Sequence, residues 1–272
     1  MDAALRRELG IDAAEKLAGG AVLECHWVSI GGVERFLKMG AAKYADALAA
    51  EADGLDALRA AGARAPQAFA HGVAGGKAYL LIEHLEIETS GDYAALGAML
   101  AALHRSSGPR FGWHRDNYIG ATHQANGWRD DWAVFWRECR LEPQIDLARR
   151  NGFDLGELPP LDELLRDHRP TPALLHGDLW RGNAGFKDGA PVIFDPAVYY
   201  GDRECDLAMT ELFGGFPAEF YAAYNEAFPL PEGYPARKNL YNLYHLLNHL
   251  NIFGGGYYAQ VKAALGLLLL AI

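Results

Sequence analysis

The sequence of 272 residues contains only three cysteines, which argues against a fold held together by disulfides. Cys25, Cys139 and Cys205 lie far apart, and no pair has the Cys-x-x-Cys spacing of many metal and redox sites. We therefore expect free thiols in a reducing compartment and a cytoplasmic protein.

Positive charge is also scarce. The chain has 25 Lys and Arg against 35 Asp and Glu, which gives a formal net charge of −10. A nucleic-acid partner is excluded, because binding nucleic acid needs a concentrated basic surface. The negative charge favours a protein that repels its own copies, so we expect a monomer or a weak dimer.

Long hydrophobic runs are missing as well. The most apolar stretch, LGLLLLAI at residues 265–272, has eight residues, whereas a membrane span needs about twenty. The first ten residues, MDAALRRELG, carry charges but lack the apolar segment of a signal peptide. We expect no membrane span, and we interpret the C-terminal run as the end of a core helix.

The first third of the chain has strand patterns, and the remainder has mainly helical ones. Residues 21–38 predict a hairpin that turns at Gly31-Gly32, and residues 78–85 predict a central strand. The polar segment 86–92 predicts a boundary between two lobes. Apolar residues at helical spacing predict helices over 41–61, 92–106, 128–150, 203–213, 217–227 and 236–252.

Glu51 falls on the apolar face of the predicted helix 41–61. A carboxylate inside an apolar stripe is costly unless a cation meets it, and Lys38 is the nearest candidate. The pattern alone leaves open that Glu51 lies at the solvated edge of the stripe.

The stretch LLHGDLWRGNAGFKDGAPVIFDPA, residues 174–197, has the pattern of a strand, a loop and a hairpin. Asp188-Gly189 is a strong signal for a two-residue turn. That turn pairs Lys187 with Ala190 and places Asn183 opposite Phe194, next to Asp195.

Carboxylate and amide oxygens in this arrangement suit Mg²⁺, while Asp178 stays free to act as a base. The spacing of His176, Asp178 and Asn183 matches the catalytic loop of kinases, and Asp195 takes the place of their second metal-binding aspartate. Turn capping would explain each residue separately, but their joint occurrence favours phosphoryl transfer. An aspartate of ordinary pKa would suffice, because it can accept the proton late in the reaction.

The first third then supplies a nucleotide site for ATP with Mg²⁺. Lys38 would bind the α- and β-phosphates, with Glu51 fixing that lysine. Gly19 and Gly20 would let the backbone approach the phosphates. Adenine would lie against the backbone of Glu83, His84 and Leu85. We predict an α+β, protein-kinase-like fold with a small β-rich N-lobe at residues 1–88, which binds the nucleotide, and a larger, mainly helical C-lobe at residues 89–272.

Several longer motifs resemble one kinase family. LLHGDLWRGN (174–183), FDPAVYYGDRECDLAMTELFGGFP (194–217) and LYNLYHLLNHLNIFGGGYYAQ (240–260) resemble the fructosamine kinases, or ketosamine 3-kinases, within the group of aminoglycoside-phosphotransferase-like proteins. The resemblance extends over nearly the whole chain.

The resemblance implies transfer of the γ-phosphate of ATP to the 3-hydroxyl of a free or protein-bound ketosamine, whose product then sheds the sugar. It implies that Asp178 is the base and that Asn183 and Asp195 hold Mg²⁺. Trp180 would form an aromatic wall for the sugar, with a core tryptophan as the alternative, and His249 would border the acceptor pocket.

Other interpretations stay open at this stage. A kinase for an aminoglycoside or choline would need a very acidic acceptor pocket, because those substrates are cationic. A catalytically silent binding module would have no need of Lys38, Asp178, Asn183 and Asp195 together. Gln124 and Asn126 suit either substrate contact or loop structure. Asp202, Arg203 and Asp206 are expected to brace the catalytic loop, and a zinc site at His245 and His249 is disfavoured because an apolar stripe shares their helix.

Overall fold

A computed structural model describes residues 1, 3–17 and 23–271 of the chain. The proposed phosphate-binding glycines, Gly19 and Gly20, lie outside the described residues. After one short helix, an antiparallel sheet forms the N-terminal part and a mainly helical part follows, as the predicted α+β fold requires. The boundary between residues 88 and 89 stays a prediction.

The N-terminal sheet has five strands, and each pairs antiparallel with its neighbours in the order β1-β2-β3-β5-β4. The strands are β1 (Ile11–Lys16), β2 (Glu24–Ile30), β3 (Val33–Ala41), β4 (Ala68–Ala74) and β5 (Lys77–Glu83). Helix α1 (Ala3–Glu8) precedes the sheet, and α2 (Ala45–Ala60) joins β3 to β4. The predicted hairpin turn at Gly31-Gly32 and the predicted helix are therefore confirmed.

The two faces of this sheet have different partners. Leu37 of β3 packs with Leu5 of α1 in a small separate core. Leu80 of β5 packs with Leu55 of α2 in the large core that continues into the rest of the molecule. Because neighbouring residues of a strand point to opposite faces, Lys38 points away from the small core and towards α2.

The C-terminal part consists of helices with short two-stranded sheets between them. The helices are α3 (Tyr93–Leu103), α4 (Trp132–Trp136), α5 (Glu142–Arg150), α6 (Glu204–Leu212), α7 (Ala218–Ala227), α8 (Tyr234–Phe253) and α9 (Tyr258–Ala271). The strands are β6 (Asn117–Ile119), β7 (Thr122–Gln124), β8 (Ala173–Leu175), β9 (Ala184–Lys187), β10 (Ala190–Ile193) and β11 (Tyr199–Gly201). Strand β6 pairs with β7, β8 with β11, and β9 with β10.

The segment predicted as one helix over 128–150 begins later and is not uniform. The Asp131 side chain accepts a hydrogen bond from the backbone N–H of Val134, so the first helical residue is Trp132. Residues 137–141 then form a π-helical turn before α5 begins. The guanidinium of Arg140 in this turn is fully buried, 3.9 Å from the centre of the Tyr199 ring.

Residues 265–271 of the apolar C-terminal run belong to α9, and the interpretation as the end of a core helix is only partly right. Val261 and Leu268 are buried, whereas Leu269 and Leu270 are largely exposed. None of the helices in the described ranges combines the length and the apolar character needed to cross a bilayer.

Candidate active site

A catalytic-type loop follows β8 directly and is held by its backbone. The Asp206 carboxylate, in the first turn of α6, accepts hydrogen bonds from the backbone N–H groups of His176 (2.7 Å) and Gly177 (2.8 Å). The His104 ring lies 3.1 Å from the same carboxylate. The expectation that Asp206 braces this loop is confirmed, whereas Asp202 and Arg203 bond to groups outside the loop.

The buried side chain of His176 connects the two halves of the site. Its Nε2 donates to the backbone carbonyl of Phe194 (3.0 Å), and its Nδ1 accepts from the N–H of Asp178 (3.3 Å). Burial lowers the pKa of His176, so the ring is neutral and keeps this one tautomer. The imidazole thereby fixes the distance between the catalytic loop and the segment before Asp195.

Gly177 is required by the close approach of these two segments. Its φ is +84°, in the left-handed region, and a Cβ at this position would lie 2.1 Å from the carbonyl oxygen of Ala197. A side chain would therefore force the catalytic loop away from the Asp195-Pro196-Ala197 segment.

Asp178 and Asn183 are in direct contact. The amide nitrogen of Asn183 donates to the backbone carbonyl of Asp178 (2.8 Å) and to its carboxylate (3.2 Å). Since both bonds use the amide nitrogen, the amide oxygen is the atom that could bind a cation.

The pKa of Asp178 lies above the ordinary aspartate value. Burial, together with the nearby charge of Asp195, raises it to about 7. The sequence analysis required no such shift, and the shift arises because tertiary packing partly buries this carboxylate. A pKa near neutrality suits a general base.

The predicted hairpin brings Asp195 to the same place. Strands β9 and β10 pair Lys187 with Ala190, and the N–H of Phe194 donates to the carbonyl of Asn183 (3.0 Å), as the turn at Asp188-Gly189 predicted. Asp195 itself has a φ of +57°, a conformation that Asp and Asn tolerate better than most other residues.

The ammonium group of Lys38 forms ion pairs with two carboxylates, and the sequence predicted only the pair with Glu51. Its ammonium lies 2.6 Å from Glu51 and 2.5 Å from Asp195. Burial opposes the charged form of Lys38, but the charges of Asp195 and Glu51 outweigh it and raise the pKa of the lysine. The Lys38–Glu51 pair is confirmed, and the solvated alternative for Glu51 is wrong.

These groups face one cleft of about 640 Å³. The predicted site residues that line it are Lys38, Glu51, Glu83, Leu85, Asp178, Trp180, Asn183, Asp195 and His249. His84 does not line this cleft, and its side chain lies 3.4 Å from Glu34.

Aromatic side chains form one wall at the Asp178 end of the cleft. Trp180 is 37% exposed, so the alternative of a core tryptophan is wrong. Phe213 contacts the rings of both Trp180 (6.2 Å) and His249 (4.6 Å), and His249 also contacts Phe253 (5.5 Å). Phe213 and Phe253 were not predicted from the sequence, because only the fold brings the end of α6 and the end of α8 together.

Within the described part of the chain, one ring nitrogen of His249, Nε2, has no hydrogen-bond partner and could meet a ligand. Its Nδ1 donates to the backbone carbonyl of His245 (2.8 Å), and burial lowers its pKa, so Nε2 is a hydrogen-bond acceptor. Among the described residues, the one group of three side chains that could hold a metal is His168, Asp202 and Glu204, which includes neither His245 nor His249.

Gln124 and Asn126 are structural. Both are buried, and both donate through their side-chain nitrogens to the amide oxygen of Asn117 (2.8 and 2.9 Å). Asn117 in turn donates to the carbonyl of Val198 (2.7 Å). This buried network holds the backbone of the segment after Asp195 in place.

Comparisons with known proteins agree on one group. A family model described as fructosamine kinase matches residues 1–271. A protein named "Probable ketoamine kinase" from Synechocystis sp. is 46% identical over 264 residues, which cover 94% of this chain and 90% of that protein. A crystal structure from Haemophilus somnus, named "putative fructosamine-3-kinase", has a TM-score of 0.90 at 32% identity and covers 97% of this chain and 95% of that one.

A more distant likeness concerns the fold alone. The structure of an aminoglycoside phosphotransferase in a ternary complex with ADP and hygromycin B has a TM-score of 0.64 at 15% identity, and it covers 98% of this chain and 97% of that one. The predicted α+β, kinase-like fold is confirmed.

Proposed function

Because the chain belongs to the fructosamine kinase family, as its motifs predicted, we propose that it transfers the γ-phosphoryl group of ATP to the 3-hydroxyl of a ketosamine. The observation that carries this proposal is the convergence of Lys38, Asp178, Asn183 and Asp195 on one cleft. Lys38 comes from the N-terminal sheet and the other three from the segment between β8 and β11, and this set is typical of phosphoryl transfer.

The nucleotide end of the cleft suits ATP. Lys38 offers a buried cation for the α- and β-phosphates, and Glu51 holds it in place. Phe36, Ile82 and Leu85 line this end and provide an apolar surface for adenine. The aminoglycoside phosphotransferase of the same fold was solved with ADP, which supports the proposal.

The residues present fit a magnesium ion. The amide oxygen of Asn183 and the carboxylate of Asp195 are hard oxygen donors, and Mg²⁺ prefers such ligands together with substrate phosphates. Bound Mg²⁺ would neutralise charge on the phosphates of ATP. Lys38 already contacts Asp195, so the chain holds its phosphate-binding cation beside the metal-binding carboxylate.

Asp178 would take the proton of the acceptor hydroxyl. As the hydroxyl oxygen bonds to the γ-phosphorus, the bond from that phosphorus to the bridging oxygen of ADP breaks, and the proton passes to the Asp178 carboxylate. The hydrogen bond from Asn183 holds this carboxylate in position. The chain thus contributes alignment and charge, which supply most of the acceleration in phosphoryl transfer.

The acceptor end favours a sugar adduct over a polycation. Trp180 and Phe253 offer apolar surface, and sugars pack their C–H faces on aromatic rings. Of the described carboxylates that line the cleft, Glu51 and Asp195 are bound to Lys38, and Glu83 lies at the nucleotide end. Asp178 is the one of these described carboxylates that faces the acceptor, so the described part of the cleft lacks the very acidic pocket expected for an aminoglycoside or choline kinase.

Incubation with Mg-ATP and fructoselysine or ribuloselysine tests the proposal. We expect a product heavier by one phosphate, detected by mass spectrometry, and subsequent release of the free amine. An aminoglycoside and choline serve as comparison acceptors under the same conditions. Phosphorylation of either of these with no reaction of the ketosamines would replace the proposal, and nucleotide binding without any transfer would favour a silent binding module.

Replacing Asp195 by asparagine is expected to weaken the response to magnesium. Asparagine tolerates the left-handed backbone at this position, so the change removes charge and leaves the hairpin intact. The Mg²⁺ concentration for half-maximal activity should rise by at least roughly tenfold. Removal of a supporting group around a metal site usually has an effect of this size. The measurement is initial rate against free Mg²⁺ at saturating ATP.

Asp188→Asn is the matched control for this variant. Asp188 lies in the turn of the same hairpin with a φ of +53°, and its carboxylate is largely exposed. Its loss should leave the magnesium titration unchanged. If both variants show the same curve as the unmodified protein, Asp195 does not bind the metal.

A further inference from the structure

A second cavity adjoins the acceptor end of the cleft. It has a volume of about 840 Å³, and Ile252 and Phe253 line both spaces. The remaining walls come from β7, from α5 and from the end of α8, including His123, Leu147 and Arg150. The cavity is within the size range of small-molecule sites.

The wall between the two spaces is fixed by side-chain hydrogen bonds. Asn251 donates to the backbone carbonyl (3.0 Å) and to the side-chain oxygen (2.8 Å) of Gln144. Gln144 in turn donates to Asn248 (3.1 Å), which lines the main cleft. The second cavity therefore shares a hydrogen-bonded wall with the main cleft.

One permanently charged side chain, Arg150, lines the second cavity in the described part of the chain. No carboxylate lines it among the described residues. Arg150 is exposed and has no ion pair or hydrogen bond within the described part of the chain, whereas the neighbouring His123 lies 3.2 Å from Asp116. In a chain with a net charge of −10, this unpaired cation is a local attraction for an anion.

We propose that the amine-bearing part of the acceptor passes Phe253 into this second cavity, where Arg150 binds its carboxylate. The preferred acceptor is then a glycated free amino acid with an unblocked α-carboxylate. In a residue inside a protein chain, an uncharged peptide bond replaces that group. This inference rests on the proposed ketosamine kinase function and specifies its substrate class.

Two acceptors that differ only in one charge provide the test. These are Nα-acetyl-fructoselysine, with a free carboxylate, and its carboxamide. The unmodified protein is expected to favour the carboxylate in kcat/KM by about fivefold, the value of a partly exposed ion pair. Arg150→Gln should remove this preference by raising KM for the carboxylate, with kcat unchanged, and added salt should weaken the preference in the unmodified protein.

Arg149→Gln is the matched control. Arg149 is also exposed in the last turn of α5, where a cation interacts favourably with the helix dipole, but it does not line the cavity. This variant should keep the full preference for the carboxylate. An equal loss in both variants would show a general effect of charge and overturn the inference.

The remaining outcomes separate this inference from the proposed function. If the unmodified protein phosphorylates the carboxylate and the carboxamide with equal kcat/KM, Arg150 does not have the proposed role. The proposal of a ketosamine kinase is unaffected by that result. Faster turnover of a blocked glycated peptide than of the free carboxylate has the same consequence. Failure to phosphorylate any ketosamine overturns both proposals.

Discussion

An Asp178→Ala variant is expected to bind ATP as the unmodified protein does and to lose nearly all phosphoryl transfer. General-base catalysis contributes about 10²–10⁴-fold, and kcat should fall by that factor. Asp178 faces the acceptor end, with its carboxylate held by Asn183 and its pKa raised to about 7. The measurements are single-turnover rates with a ketosamine acceptor and ATP affinity by calorimetry.

Asp178→Asn separates the loss of the base from damage to the fold. It keeps the shape of the side chain but cannot accept a proton. Because burial raises the pKa of Asp178, the charged carboxylate costs stability at neutral pH, and the nucleotide-free Asn variant should melt no lower than the unmodified protein. Transfer within tenfold of normal in either variant would remove Asp178 from its role as base.

Features set by neighbours in sequence were predictable. The turn at Asp188-Gly189 determined the register of its hairpin, because a two-residue loop leaves one pairing for the flanking strands. The Lys38–Glu51 pair was predictable from the cost of a carboxylate in an apolar stripe, which a nearby strand residue could offset.

Features that depend on packing between distant segments were not predictable. Lys38 and Asp195 are 157 positions apart, and their contact requires the sheet and the second hairpin to meet across the cleft. The raised pKa of Asp178 has the same origin, since it comes from burial and from Asp195. The short strands β6, β7 and β11 have three residues each, too few for an apolar period to identify them.

Residues near the acceptor end of the cleft show the same difference between what neighbours in sequence determine and what packing determines. The sequence left open whether Gln124 and Asn126 contact the substrate or support a loop. Their burial and their hydrogen bonds to Asn117 show that they support the structure. The cavity beside Phe253 is formed by β7, α5 and α8, which are separated in sequence. Position in the fold therefore decides which polar groups reach a substrate and which support the site from behind.

Replacing Asp206 by alanine is expected to destabilise the protein by about 3–5 kcal/mol, the usual cost of breaking a buried pair. The change leaves the buried N–H groups of His176 and Gly177 and the ring of His104 without their acceptor. Urea unfolding at pH 7 measures the loss. Turnover should fall as well, because the shifted loop moves Asp178, and misplacement by about 1 Å can cost roughly 10²-fold in rate.

Glu219→Ala is the control for the general effect of an acid at a helix start. Glu219 is exposed in the first turn of α7, so its removal should cost no more than the 0.3–1 kcal/mol or so of a helix-dipole interaction. If Asp206→Ala costs no more than this control, the carboxylate does not support the catalytic loop.

The dependence on pH identifies the carboxylate charge as the stabilising group. Burial opposes the charged form of Asp206, but its contacts with His104, His176 and Gly177 outweigh this and hold its pKa below the usual value. Its contribution is therefore complete above the ordinary aspartate pKa of about 4 and is lost as the pH falls through the lower pKa of the folded state. The difference in unfolding free energy between the unmodified protein and Asp206→Asn should be largest at neutral pH and shrink in acid. A difference that stays constant from pH 7 into acid would mean that shape and hydrogen bonding, and not charge, hold the loop that carries Asp178.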